Sequence, residues 1–349
     1  MSIKIGEVAN NVPVTISADS PNEHIAIWGI SGSGKSTRIN EIIQDIQMSG
    51  STVIVFDLAG QDFQNLESVN RIYANRDGIA LKIFDLHKVK TGEESYVNFL
   101  SYLVDTFSNV YKLGIQQQGA LRTAMEYAIK HCSQYETEMD AIAAGLDGQA
   151  SDLAIGVHNR LWQILHGGIF RKSDKQFRTA EINILDFSGI NPSAQKELTE
   201  IMLSFIWKKL RTESRKEGKI CLVIDECQHY FFKSSSILLE MLRESRKYGV
   251  NIILSTQSNS GFTSTVMAAV NQTAVQLYFR PSVTDMKKVA DMIAPQNAGY
   301  WLLKLKELNV GESIATGNLF MNGKEIQYPL VVHSAFEPQH NPKGEIRRL

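Results

Sequence analysis

A mixed α/β fold on a mostly parallel sheet is predicted by three observations in the first sixty of 349 residues. An apolar run, Ile25-Ala26-Ile27-Trp28, leads directly into Gly29-Ile30-Ser31-Gly32-Ser33-Gly34-Lys35-Ser36, which matches G-x-x-x-x-G-K-[ST] at every fixed position. Ile39, Ile42, Ile43 and Ile46 then recur at helical spacing as far as Ser49-Gly50. A second apolar run, Thr52-Val53-Ile54-Val55-Phe56, ends on Asp57. Strand, glycine-rich turn, helix and strand make a βαβ unit, which implies parallel strands with a ligand at their carboxyl ends.

The turn is a P-loop. Its glycines let backbone N–H groups point inward and hold phosphate oxygens at the start of a helix. Gly29, Ser31, Gly32, Ser33, Gly34, Lys35, Ser36 and Thr37 are the candidate nucleotide-binding residues. Lys35 is expected to reach the β- and γ-phosphates of ATP, and the Ser36 hydroxyl to bind Mg²⁺.

Further along, helical stripes replace strands. Val97, Leu100, Val104, Phe107 and Tyr111 form one and Leu121, Met125, Ala128 and Ile129 another, with Ala143 to Gly148 reading as a linker. Residues 96–180 are therefore expected to be a helical insertion within a core of 1–95 and 181–349. Strand character returns at Ile182 to Ser188, before an amphipathic helix on Leu198, Ile201, Met202, Phe205 and Ile206. Two more strands, Ile220 to Ile224 and Val250 to Leu254, flank a helix that Ser236 is placed to cap. A strand near Ala274 to Phe279, a helix from Ser282 to Ile293 and a strand near Gln327 to Val332 complete the alternation, and Glu337 to Gly344 reads as an extended arm. There is no internal repeat.

The second half of the chemistry lies at strand ends. Val223-Ile224-Asp225-Glu226 is an apolar strand closing on two acids, the form of a Walker B element. Asp225 is assigned to Mg²⁺ and Glu226 to orienting and deprotonating the attacking water. The next strand ends Ser255-Thr256-Gln257, where the Gln257 amide is placed to sense a γ-phosphate. Before that strand stand Arg243 and Arg246, either of which is a candidate arginine finger for a neighbouring subunit, with Arg246 the better placed.

Taken in order, the P-loop, Asp57-Leu58-Ala59-Gly60-Gln61-Asp62-Phe63, the helical insertion, Leu185-Asp186-Phe187-Ser188-Gly189, Asp225-Glu226 and Arg246-Lys247-Tyr248-Gly249 running into Ser255-Thr256-Gln257 resemble the HerA/FtsK superfamily. HerA-like helicase ATPases and the ATPases of conjugative secretion are the nearest in pattern. The resemblance implies a RecA-like core, assembly into a homo-hexameric ring, and ATP-driven movement of DNA through its channel. It also implies that Asp57 joins the catalytic polar network. Only 28 residues precede Gly29, so a counterpart of the family's N-terminal β-barrel is not expected in this sequence, nor one of the winged helix of FtsK. Two alternatives stay open: a secretion ATPase acting on protein, and a nucleotide-controlled ring that scaffolds an effector such as a nuclease.

Composition sets the outer limits. The formal net charge of −1 is neutral on DNA, since a channel needs only local positive charge. Phe170-Arg171-Lys172-Ser173-Asp174-Lys175-Gln176-Phe177-Arg178 is the stretch best suited to phosphate contact. No apolar run approaches the length needed to span a bilayer and no leader pattern opens the chain, so a cytoplasmic protein is expected. Cys132, Cys221 and Cys227 have no zinc or disulfide spacing, and none of the eight histidines falls in a metal-like or triad-like pattern.

Overall fold

A computed structural model describes residues 3–16, 20, 22–60, 62–212, 219–230, 236–258 and 262–334. Its strands are β1 (Lys4–Val8), β2 (Val12–Ile16), β3 (Ile25–Trp28), β4 (Thr52–Asp57), β5 (Asn70–Tyr73), β6 (Ile182–Asp186), β7 (Ile220–Ile224), β8 (Val250–Thr256), β9 (Val275–Tyr278), β10 (Glu312–Gly317), β11 (Leu319–Met321), β12 (Lys324–Ile326) and β13 (Leu330–His333). They form one sheet in the order β12-β11-β2-β1-β13-β10-β9-β3-β8-β7-β4-β6-β5. From β9 to β5 every neighbour is parallel. From β9 outward through β10 to β12 every pairing is antiparallel.

The central parallel strands β3 and β7 are wholly apolar, and β4 nearly so, because both faces are covered. Ile25 and Ile27 of β3 face a core with Ile39, Ile42, Ile43 and Ile46 of α1 (Lys35–Met48). Ala26 and Trp28 face the opposite core. That second core also takes in α3 (Tyr96–Tyr111), α4 (Ile115–His131), α5 (Glu138–Asp147), α6 (Asp152–His166) and α7 (Pro192–Thr212), which follow the short α2 (His87–Lys90). The remaining helices are α8 (Ile237–Glu244), α9 (Ser264–Val270), α10 (Met286–Ile293) and α11 (Ala298–Glu307).

Several local expectations are corrected. Ala143 to Asp147 is the end of α5 and not a linker: a Cβ on Gly145 would lie 2.7 Å from the Ala124 carbonyl oxygen, so the glycine allows α4 and α5 to cross closely. Ser236 occupies the N-cap of α8 without capping it, and its hydroxyl turns to Glu200 at 3.4 Å. The helix expected from Ser282 begins at Met286, and the strand expected near Gln327 to Val332 is Leu330–His333. The expected arm beyond 334 lies outside the described residues.

Arg38 ties the P-loop helix to the antiparallel wing. It is fully buried, donates to the carbonyls of Ile5 and Gly311 and to the Ser334 hydroxyl, and pairs with Glu41 at 3.2 Å. Burial pulls its pKa down, and Glu41 and Glu7 oppose that shift.

Candidate nucleotide site

Parallel register brings the functional strand ends level. Trp28 pairs with Thr256, Phe56 with Ile224, and Asp57 with Asp186, so β3, β8, β7, β4 and β6 all end on one edge of the sheet. The P-loop leaves β3 at this edge. Gly34 holds φ at +105°, and a Cβ there would lie 2.7 Å from the Gly311 amide nitrogen, so only glycine fits. Gly311 N–H donates to the Ser33 carbonyl at 3.0 Å, fixing the loop from outside. Gly32, at φ +74°, has no described residue beyond its chain neighbours within 4 Å of where a Cβ would stand, which leaves room on the loop's open side. Because Gly34 has no side chain to cap α1, the first-turn amides of that helix stay available to an anion.

Lys35 is buried, and its ammonium donates to the Ile30 carbonyl at 3.1 Å. Burial lowers its pKa, while the carboxylates of Glu226, Asp225 and Asp62 oppose the shift. The Ser36 hydroxyl donates to Asp62 at 2.8 Å. Asp62 was not anticipated as a site residue, although it stands in the Asp57 to Phe63 stretch that carried the resemblance.

Asp225 is 5% exposed and accepts from the Ser255 hydroxyl and, at 3.0 Å, from the Glu226 amide. Burial raises its pKa to about 6, with Glu226 and Asp62 adding to the rise and the Ser255 hydrogen bond opposing it. Glu226 sits at φ +48°, a left-handed conformation that costs a non-glycine residue about 1 kcal/mol or more. This turn carries its carboxylate to Gln257, whose amide donates at 2.5 Å. Gln228 donates to the other carboxylate oxygen and accepts from Thr256 Oγ1 at 2.6 Å. Glu226 is thus gripped by two amides.

Beside this lies a second buried group. Asp57 accepts from the Gly60 amide at 2.8 Å, while its Oδ2 has no hydrogen-bond partner among the described residues and lies 3.5 Å from Arg71 Nη1. Arg71 also pairs with Asp186 at 3.1 Å. Burial lifts the Asp57 pKa to about 6, the Gly60 amide and Arg71 oppose the rise, and Asp186 and Asp225 add to it. Arg71 carries no local sequence signal, since β5 reads Asn-Arg-Ile-Tyr.

Arg243 and Arg246 are exposed and lie elsewhere, on α8 and on the turn Ser245–Tyr248 that enters β8 at its amino end. Of the basic stretch, Arg171 donates to the carbonyls of Gly168, Asn75 and Arg76, and Lys175 binds the Arg71 carbonyl and Asp77, both at 2.9 Å. Both cations hold the backbone around β5. Arg178 forms an exposed pair with Glu181 at 3.3 Å.

Fold and loop define a RecA-like P-loop ATPase. The chain belongs to the family described as Helicase HerA, central domain, which matches residues 3–209. The family described as Zonular occludens toxin (Zot) matches residues 164–283. The DNA double-strand break repair helicase HerA of Sulfolobus acidocaldarius is 22% identical over 340 residues, which cover 91% of this chain and 67% of that protein. The chain thus spans about two thirds of the length of such relatives. VirB4 of Thermoanaerobacter pseudethanolicus has the same fold, with a TM-score of 0.72, 14% identity and 96% of each chain covered. So has the plasmid coupling protein TrwB in complex with ADP and Mg²⁺, at TM-score 0.62 and 14% identity, over 92% of this chain and 86% of that one. Among the described residues no helix is long and apolar enough to cross a membrane.

Proposed function

We propose that this chain is the motor subunit of a six-membered ring of identical copies that couples Mg²⁺-dependent ATP hydrolysis to the movement of DNA, with 1–95 and 181–349 as motor and 96–180 as an insertion. One observation carries the reading: a buried lysine on an open P-loop faces three carboxylates, one of which is clamped by amides at the adjoining strand end.

The residues divide the work. The loop from Gly29 to Ser33, the amides of Gly34, Lys35 and Ser36, and Thr37 hold the phosphates, and Lys35 leaves the Ile30 carbonyl to neutralise β- and γ-oxygens. Ser36 and Asp225 would hold Mg²⁺, which would supply charge neutralisation at the phosphates. The chain's donors suit that ion: a hydroxyl and a carboxylate are hard oxygen ligands. Glu226 takes the proton of the attacking water, and Gln257, already bonded to Glu226, reports loss of the γ-phosphate. Asp57 with Arg71 and Asp186 stiffens the neighbouring strand ends.

Arg246 acts on another copy. β8 runs seven residues, about 20 Å, between Arg246 and the phosphate edge of the same chain, which no arginine side chain spans. A guanidinium there serves a neighbour's ATP or none. The Sulfolobus relative's description as a DNA repair helicase supports DNA as the substrate.

The test is ATP turnover with and without duplex DNA. Stimulation by DNA is expected. Turnover indifferent to DNA would favour a protein substrate, and ATP-dependent assembly with negligible turnover would favour a scaffold.

A further inference from the structure

Away from the nucleotide site, the outer surface of α6 carries a cluster that its sequence spacing conceals. His158 and His166 stand eight residues apart, about 12 Å along a helix. Their rings reach toward each other along the surface until the two Nε2 atoms are 2.8 Å apart. Trp162 packs beside both rings, stacked on His158 at 5.7 Å between ring centroids and against His166 at 4.2 Å. Asp147, the last residue of α5, holds His158 Nδ1 at 2.6 Å.

This geometry fixes a tautomer. A carboxylate acceptor places the neutral-ring proton of His158 on Nδ1, leaving a bare lone pair on Nε2 aimed at His166. A carboxylate on the far nitrogen with the near nitrogen free is how metal-binding imidazoles are oriented and made more basic. The separation also fits. Two imidazole nitrogens about 2.0–2.1 Å from a shared tetrahedral ion stand about 3.3 Å apart, so the pair needs to open by only about half an ångström.

We propose that His158 and His166 bind a divalent transition-metal ion of the Zn²⁺, Ni²⁺ or Cu²⁺ class, with Asp147 orienting His158 and Trp162 packed alongside both rings. On binding, His158 offers its existing lone pair, and His166 shifts its Nε2 proton to Nδ1, so no net proton need be released. Among the described residues no group of three or more His, Cys, Asp or Glu side chains gathers to hold an ion, so water fills the other positions and the metal exchanges readily. Imidazole nitrogen separates this site from the nucleotide site, because Mg²⁺ prefers oxygen ligands. A bound ion would fasten the end of α5 to α6 within the 96–180 region.

Trp162 is 55% exposed and serves as a reporter. The full chain, stripped with a chelator and kept in excess Mg²⁺ to occupy carboxylate sites, is titrated with Ni²⁺ by fluorescence and with Zn²⁺ by calorimetry. Saturable quenching and one Zn²⁺ equivalent are expected. His158→Ala and His166→Ala should each weaken binding at least tenfold, and Asp147→Ala about tenfold. Trp162→Phe should keep the calorimetric equivalent and lose most of the quenching. His166→Gln provides a second, polar substitution at that helix end. Absence of saturable binding by the unmodified chain, or unchanged affinity in both histidine variants, would overturn the proposal.

Discussion

The two edges of the parallel sheet treat their charged side chains differently. At the carboxyl edge, Lys35, Asp57, Asp186 and Asp225 are each at most 6% exposed, and each is hydrogen-bonded to a neighbouring carbonyl, amide or hydroxyl. At the amino edge, Arg243, Arg246 and Lys247 stand exposed. One edge has desolvated its polar groups in advance, which makes their interactions strong in electrostatic terms and makes a charge without a partner costly there. The other keeps its cations in water. The difference suggests a site completed by contact, in which one copy supplies the prearranged acids and the next supplies a guanidinium that is desolvated only on docking.

The largest effect is expected from the exposed edge. Arg246→Ala should bind ATP nearly normally yet lose turnover by about 10³-fold or more, as arginine fingers do. Arg243→Ala, one helical turn earlier, should change turnover by less than tenfold. Steady-state ATPase rates with nucleotide affinities separate the two, and equal losses would dissolve the distinction.

At the prearranged edge, Glu226→Gln keeps the shape and the Gln257 contact but cannot take a proton, so turnover should fall about 10²–10⁴-fold with affinity retained. Lys35→Ala should instead weaken nucleotide binding itself. Near-normal hydrolysis by Glu226→Gln would remove that carboxylate from its role.

A smaller effect concerns stability. Asp225 and Asp57 have pKa values raised from 3.8 to about 6, chiefly by burial. The folded, nucleotide-free chain therefore binds more protons than the unfolded chain between about pH 4 and 6, and its stability should fall as pH rises through that window. Mg²⁺ requires the carboxylates ionised, so its stabilising effect should fade below about pH 6. Asp225→Asn should raise the stability of the nucleotide-free chain at pH 7 by about 1–3 kcal/mol while abolishing the Mg²⁺ effect. Thermal melts across pH, with and without Mg²⁺, check both.

The smallest effect is expected from the basic stretch. Arg171→Ala with Lys175→Ala should lower stability, since both cations hold backbone carbonyls around β5. Lys172→Ala with Arg178→Ala should leave melting unchanged and reduce the salt slope of DNA binding by about 2 if both side chains contact phosphates. An unchanged slope would place the DNA contacts elsewhere.

What could be read from sequence follows the range of the forces involved. The β3, α1 and β4 unit, the Asp225-Glu226 pair and the Gln257 strand end were legible because local apolar runs and fixed motif spacing mark them. Most of the antiparallel wing was not: β13 was expected near Gln327 to Val332, but β1, β2 and β10 to β12 are three to six residues long and β2 begins Val-Pro. Nor were the partners within the site. Ser255 meets Asp225 across 30 residues and Arg71 meets Asp186 across 115, contacts set by strand order, which no local pattern encodes. The apparent linker at Ala143 to Gly148 misled because Gly145 serves a helix crossing and not a turn.

The most direct measurement mixes two inactive variants. In rings verified by native mass spectrometry to contain both Arg246→Ala and Glu226→Gln subunits, some interfaces pair an intact Glu226 with a neighbour's intact Arg246. A site divided between copies predicts partial recovery of ATP turnover in these rings, rising and falling with the number of such interfaces. Verified mixed rings as inactive as either variant alone would contradict it.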